Sequence, residues 1–202
     1  YIDNIQEANR FLVKEFKGSM FAIAKDVKIQ IEFNPKYVQN YRLIGYENRK
    51  LHNEDFTNDT IDAGELGSGH TVTAFYEIIP VGVKSDFSIA PIELKYAKNN
   101  VEKNNLSNEL ATIKFRYKKP DGTTSIEMIE VIKKDSLPLE KSSDDFKFSA
   151  AVAWFGLKLR DSKLIENKSS NDIKSLAQKG LSNDKDGYKA EFIRLVETSK
   201  QY

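Results

Sequence analysis

An α+β fold is what the patterning of this chain predicts: an antiparallel β-sandwich, one amphipathic helix before it and a helical segment of about three helices after it. Three observations carry that expectation. Apolar residues recur at three- and four-residue steps as far as Ile23, and from Lys25 onward they alternate instead. Several short alternating segments, separated by polar turns, then follow one another. Helical spacing returns after Pro138.

Taken in order, residues 4–24 read as the amphipathic helix. Ile5, Ala8, Leu12, Phe16, Met20 and Ile23 fall on one stripe, with Asp3 or Asn4 placed to cap the free amides. Gly18 weakens that helix by about 1 kcal/mol relative to alanine, so a break is expected near it. From residue 25 the period is two. Val27, Ile29, Ile31 and Phe33 take one side of a strand, Lys28, Gln30 and Glu32 the other, and Asn34-Pro35 ends it. Residues 41–46 are expected as a second strand. Val72, Ala74, Tyr76 and Ile78 mark a third, stopped by Pro80, and residues 88–96 and 110–118 give two more.

The clearest hairpin runs from Ala111 to Ile132 through Pro120-Asp121-Gly122. With Asp121-Gly122 as a two-residue loop, Phe115 lies opposite Met128 and Tyr117 opposite Ile126. The same register sets Arg116 against Glu127, a favourable cross-strand pair. Beyond Pro138, Ser143 is placed to cap a helix carrying Phe146, Ala150, Val152, Phe155 and Leu159 around Trp154. A shorter helix spans about residues 171–178 and stops at Gly180. A last one spans about residues 188–199, with Phe192, Leu195 and Val196 on one stripe. The expected division is therefore a helix over 1–24, a sandwich over 25–137 and a helical segment over 138–202.

Composition narrows the function classes. The 202 residues, 40% hydrophobic and 11% aromatic, are enough to fill a core. Thirty-one basic against thirty acidic residues leave a formal charge of +1, which gives no electrostatic reason to expect a nucleic acid or an anionic membrane as partner. Cysteine is absent, which removes disulfides, thiolate catalysis and cysteine-based zinc sites. No apolar run approaches the roughly 18–20 residues that span a bilayer, so no membrane insertion is expected. Tyr1-Ile2-Asp3-Asn4 opens straight into a helical pattern, as an excised fragment would.

Each candidate for chemistry meets a plainer explanation. The acidic run from Asn53 to Asp62 offers oxygens for calcium, but Thr60 stands where the tight-turn glycine is wanted and Leu66 where the closing carboxylate is. It reads as a solvated connection. Ser182-Asn183-Asp184-Lys185-Asp186-Gly187 reads as a turn whose Asp or Asn caps the last helix, because Ile193 falls at its closing position. Gly64-Glu65-Leu66-Gly67-Ser68-Gly69 precedes a strand rather than a helix, so it makes no phosphate cradle; it reads as glycines entering a strand.

His52 and His70 are the two histidines. Ser68, Asp62 and His70 lie close in sequence, but positions at one strand entrance do not build a triad. Lys114, Arg116, Lys118, Lys119, Lys133 and Lys134 make the hairpin basic, yet its aromatics point to the opposite face, so solvated edge protection is expected over strand-nucleic-acid binding. Asp86-Phe87-Ser88-Ile89-Ala90 falls one residue short of the metal-binding Asp-x-Ser-x-Ser of von Willebrand factor type A (VWA) domains. No catalytic, cofactor-binding or metal-ligating residue, and no cofactor, is expected.

Three runs carry a resemblance. They are Phe21-Ala22-Ile23-Ala24-Lys25-Asp26-Val27-Lys28-Ile29-Gln30 with Tyr41-Arg42-Leu43-Ile44-Gly45-Tyr46-Glu47-Asn48-Arg49, then the run from Asp62 to Glu77, then Lys189-Ala190-Glu191-Phe192-Ile193-Arg194-Leu195-Val196. Together they resemble the C-terminal domain, of uncharacterised function, that follows the VWA domain in a family of bacterial cell-envelope proteins. The resemblance implies that helix 4–24 ends the VWA domain or bridges out of it. It implies an upstream VWA domain of the same polypeptide and a further protein as partners, and an envelope location. It carries over no catalytic residue. The function expected is a non-enzymatic scaffold or interaction domain. The alternative is a small-ligand or glycan-binding sandwich module, with Tyr37, Tyr41 and Tyr46 as its aromatic candidates.

Overall fold

The computed structural model describes residues 2, 4–16, 21–46, 50–61, 63–85 and 108–199. A short helix α1, Ile5–Asn9, continues into a π-helical stretch, Arg10–Glu15. Asn4 Oδ1 accepts from the Glu7 N–H at 2.8 Å, the cap expected from the sequence. The helical expectation to residue 24 is corrected at its end, because strand β1 is Ala22–Phe33. Ile23 sits three residues after Met20, which mimics helical spacing. Ala22 and Ala24 instead pair with Gly67 and Leu66 across the sheet, and tertiary pairing overrides the local pattern.

The strands that follow are β2 (Val38–Ile44), β3 (Gly64–Gly67), β4 (Phe75–Pro80), β5 (Glu109–Lys118) and β6 (Ser125–Lys133). They form a four-stranded sheet ordered β3-β1-β5-β6 and a two-stranded sheet β2-β4, with every pairing antiparallel. The α+β class is therefore what the structure shows. The hairpin register holds residue for residue: Phe115 opposes Met128, Tyr117 opposes Ile126 and Arg116 opposes Glu127. Its turn is centred one residue earlier than expected, since the Gly122 N–H donates to Lys119 O at 2.9 Å. That closes a β-turn over Pro120-Asp121, where proline's fixed φ suits the first corner.

Boundaries moved elsewhere. β2 begins at Val38, earlier than the expected Tyr41, and ends where Gly45 and Tyr46 turn to φ 76° and 58°. β4 begins at Phe75, and Val72, expected inside it, is exposed outside it. The run Gly64-Glu65-Leu66-Gly67 is itself a strand, not the entrance to one. The strand expected over 88–96 lies outside the described residues.

The two sheets meet at the end of β1. There the Phe33 ring lies 4.5 Å from that of Tyr41 and 5.6 Å from that of Tyr76. Asn34, which turns the chain out of β1, is fixed by its Nδ2 donating to Glu109 O at 2.7 Å. Nearer the strand's middle Ile29 remains 56% exposed, so the second sheet covers only one end of the first.

Three helices close the chain: α2 (Asp144–Leu159), α3 (Ser170–Lys179) and α4 (Tyr188–Thr198). Ser143 Oγ accepts from the Phe146 N–H, and Ser169 Oγ accepts from the Asp172 N–H. The main buried cluster lies among these helices: Ala151, Phe155, Ile173, Ala177, Ile193 and Val196, with Phe148, Trp154, Leu176 and Phe192 packed on it. Phe192 meets Phe148 and Phe155 edge-on, at 5.3 and 5.6 Å. Two expectations are corrected here. Val152 and Leu159 face solvent, with Ala151 taking the inner position, and Leu195 is exposed where Ile193 is buried. The helical segment touches the two-stranded sheet through Phe75 against Phe146 of α2, 5.4 Å apart, and through Arg42 Nη2, which donates to Leu164 O in the connection after α2 at 3.1 Å.

Candidate functional site

A polar cluster forms where the acidic connection lies on the four-stranded sheet. This segment was expected as a solvated connection, and Glu54 and residues 57–60 are exposed, but its middle is anchored. Phe56 of a 3₁₀ turn, Asn53–Phe56, is buried. Lys28, pointing from β1, is 2% exposed, and its Nζ donates to the carbonyls of Asp55 at 3.0 Å and Asn58 at 2.5 Å. A lysine is that buried only where its ammonium is hydrogen-bonded. The alternation that sends Ile29 and Ile31 to one face sends Lys28 to the other, under the loop.

Asp59 fastens the far end of the same loop. Its Oδ1 accepts from Ser125 Oγ at 2.5 Å and from Arg116 Nη2 at 3.1 Å, and its carbonyl accepts from Lys118 Nζ at 3.1 Å. Lys118 also pairs with Asp26 at 2.6 Å, and Asp26 sits at φ 51° beside the irregularity where β1 slips register against β5. The Ser125 hydroxyl is the largest cause of a lowered Asp59 carboxyl; burial, next in size, pushes it up, and the Arg116 hydrogen bond, the Arg116 charge and the Lys118 charge add to the lowering. Two members of the basic hairpin, Arg116 and Lys118, are therefore engaged by carboxylates rather than solvated. They also stand on an interior strand, not on the edge.

This geometry is a clasp. The acceptors around Lys28 are backbone carbonyls, and Asp59 is occupied by donors of its own chain. Among the described residues no group of three or more His, Asp and Glu side chains converges as metal ligands would. His52 and His70 are both exposed on separate turns. His70 is held by its backbone N–H, which donates to Gly67 O at 3.2 Å, and Ser68 is exposed beside it. Asp62 and Asp86-Phe87-Ser88-Ile89-Ala90 lie outside the described residues. Asp184 is the cap that its turn suggested: its carboxylate accepts from the N–H groups of Lys189 at 3.1 Å and Ala190 at 2.8 Å. Burial pushes that carboxyl up, but these amides bring it below the ordinary value overall.

The three candidate tyrosines serve separate neighbourhoods. Tyr37 lies under the Lys134 ammonium, 4.4 Å from the ring centre. Tyr41 leans on Phe33, and the Tyr46 hydroxyl donates to Thr73 O at 3.3 Å. A shallow depression elsewhere is lined by Ile78, Ile79, Pro80, Val83, Lys84, Ser85 and Glu166, and none of these tyrosines contributes to it. Sequence reading missed Lys28, Asp26, Asp59 and Ser125 as a unit. The one available cue was a lysine inside a strictly alternating strand.

Fold and cluster together define an α+β domain whose charged residues hold a loop onto a sheet. The chain belongs to the family described as "Uncharacterized protein YfbK, C-terminal", whose pattern matches residues 18–202. It is 42% identical over 202 residues to the uncharacterized protein YfbK of Escherichia coli strain K12, covering 98% of this chain and 33% of that protein. The chain thus spans about one third of the length of the curated relative it matches. No solved structure matches it.

Proposed function

We propose that this chain is a non-enzymatic interaction domain supporting a VWA domain of the same polypeptide in a bacterial envelope protein, where the pair serves protein–protein adhesion or assembly. The observation that carries the reading is the N-terminal apolar stripe. Ile5, Leu12 and Phe16 are 82%, 58% and 44% exposed, and Phe11 and Val13 of the π-helical stretch are 43% and 68% exposed. Burying such a stripe is worth roughly 25 cal/mol per Å² of apolar surface, and an exposed apolar patch marks an interaction site. The Arg10 guanidinium of this helix lies over the Tyr188 ring, at 5.2 Å.

Other features support the same class. Arg116 and Lys118 are spent on Asp59 and Asp26, which leaves the basic hairpin poorly suited to nucleic acid. No helix among the described residues is long and apolar enough to cross a membrane. The VWA partner and the envelope location rest on the sequence resemblance. The glycan-binding reading has less beneath it, since Tyr37, Tyr41 and Tyr46 are each engaged by different neighbours.

A photo-cross-linking side chain at Leu12 of the full-length protein tests the proposal. The expected product is an internal cross-link to a domain carrying Asp-x-Ser-x-Ser, in protein recovered from the envelope fraction. A full-length sequence without that motif, or a position 12 that captures nothing from its own polypeptide, would sink it.

A further inference from the structure

We propose that β6 is a self-association edge: two copies of this chain pair their β6 strands antiparallel and join two four-stranded sheets into one continuous sheet. β6 is the outer strand of its sheet, and all nine of its residues belong to a ladder whose only partner among the described residues is β5. An edge strand offers a row of unpaired N–H and C=O groups, and folds that stay apart blunt it with prolines, bulges or charged side chains. β6 has no proline, its charges are Glu127, Glu130 and Lys133, and the one irregularity of its ladder lies at the Lys133 end. Its pairing with β5 is regular from Ala111 to Lys118. Apolar side chains stand open on both of its faces: Met128 and Ile129 are each 57% exposed, Val131 40% and Ile132 38%.

Charge complementarity commits the edge to a second copy and fixes the register. Antiparallel pairing about a two-fold axis keeps each residue opposite one on its own face. With the axis at Glu130, Met128 meets the partner's Ile132, and Ile129 meets the partner's Val131. Glu127 meets the partner's Lys133, and each of these pairs occurs twice. Within one chain Glu109 already opposes Lys133 and Arg116 opposes Glu127. A row across the joined sheet then reads Glu109, Lys133, the partner's Glu127, the partner's Arg116, with the sign alternating at each step. Moving the axis to Ile129 sets Glu127 against Val131 and Met128 against Glu130, and moving it to Val131 sets Ile129 against Lys133. Both lose the charge row. The chosen register has one unfavourable contact, Glu130 facing its own copy across the axis.

Those contacts give the test, which reads the pairing itself and does not depend on what the N-terminal stripe meets. Sedimentation equilibrium of the full chain should show a monomer–dimer equilibrium. Glu127→Lys should weaken the dimer about tenfold, since it reverses two cross-strand pairs. Adding Lys133→Glu to that variant should restore it, and Glu130→Gln alone should tighten it. Circular dichroism of each variant separates loss of pairing from loss of fold, and the restoring double variant guards against both. A chain that stays monomeric at all concentrations overturns the proposal, including one whose β6 amides exchange slowly because another segment covers them. A dimer indifferent to all three substitutions overturns it as well.

Discussion

Ser125 Oγ donates to Asp59 Oδ1 at 2.5 Å, and this bond ties a loop that sequence reading left in solvent to the first residue of the edge strand. The same hydroxyl is the largest cause of the lowered Asp59 carboxyl. A carboxyl held below its unfolded value of 3.8 favours the folded state when ionised. That contribution is fully present above the unfolded value and is lost as pH falls through the folded one. Wild type should therefore exceed Asp59→Asn in urea midpoint at neutral pH, and the gap should close in strong acid. An equal gap at both pH values would show that Asp59 acts through shape rather than charge.

The other end of the clasp responds differently. Lys28→Met keeps the apolar stem and removes the ammonium from the carbonyls of Asp55 and Asn58, which retain the Asn58 and Ile61 N–H groups as donors. A hydrogen bond to a charged group contributes about 1.5–3 kcal/mol, and removing a buried charge returns part of that. A net loss is expected, accompanied by faster amide exchange confined to residues 55–61. Unchanged exchange there would show that Phe56 alone holds the loop.

Gly180 tests the helical segment. A Cβ placed on it would lie 2.5 Å from Asp144 O and 2.6 Å from Phe148 N, both backbone atoms at the start of α2. Gly180→Ala must push α3 away from α2 and is expected to cost about 1–3 kcal/mol, as overpacking does. Gly156, inside α2, has nothing within 4 Å of its would-be Cβ. Gly156→Ala should stabilise by up to about 1 kcal/mol through helix propensity. Thermal melts of the two variants should move in opposite directions.

What was legible in the sequence was local. The hairpin register followed from a turn and two alternating strands that can satisfy each other in one way, and Ser143, Gly180 and Asp184 were read from capping chemistry at fixed offsets. What was not legible depended on distant partners. β3 is four residues long, Gly64–Gly67, and exists because β1 offers it an edge. Lys28 looked like a solvent-facing lysine, since alternation gives a residue's face but not what covers that face. Arg116 was read correctly as opposite Glu127, yet its guanidinium bonds Asp59, which is remote in sequence and adjacent only after folding. On the β1 face shared by Val27, Ile29, Ile31 and Phe33, Ile29 is exposed and the other three are half-buried, because strand pattern does not reveal how far a second sheet extends.

The two apolar residues Ile173 and Leu195 separate core from surface in the last helices. Ile173 in α3 is fully buried in the cluster with Ala151, Phe155 and Val196, whereas Leu195 in α4 is 57% exposed. Ile173→Ala removes buried methyl and methylene groups and leaves a cavity, at a cost of about 2–5 kcal/mol. Leu195→Ala should change stability by no more than about 0.5 kcal/mol, as an exposed site does. Sequence spacing alone put Leu195 on the inner stripe with Phe192 and Val196, so the comparison discriminates between the two placements of α4. Equal losses in urea titrations of the two variants would return Leu195 to the core and rotate α4 about its axis. A large loss at Ile173 alone would fix the helix as described, with Ile193 and Val196 inward.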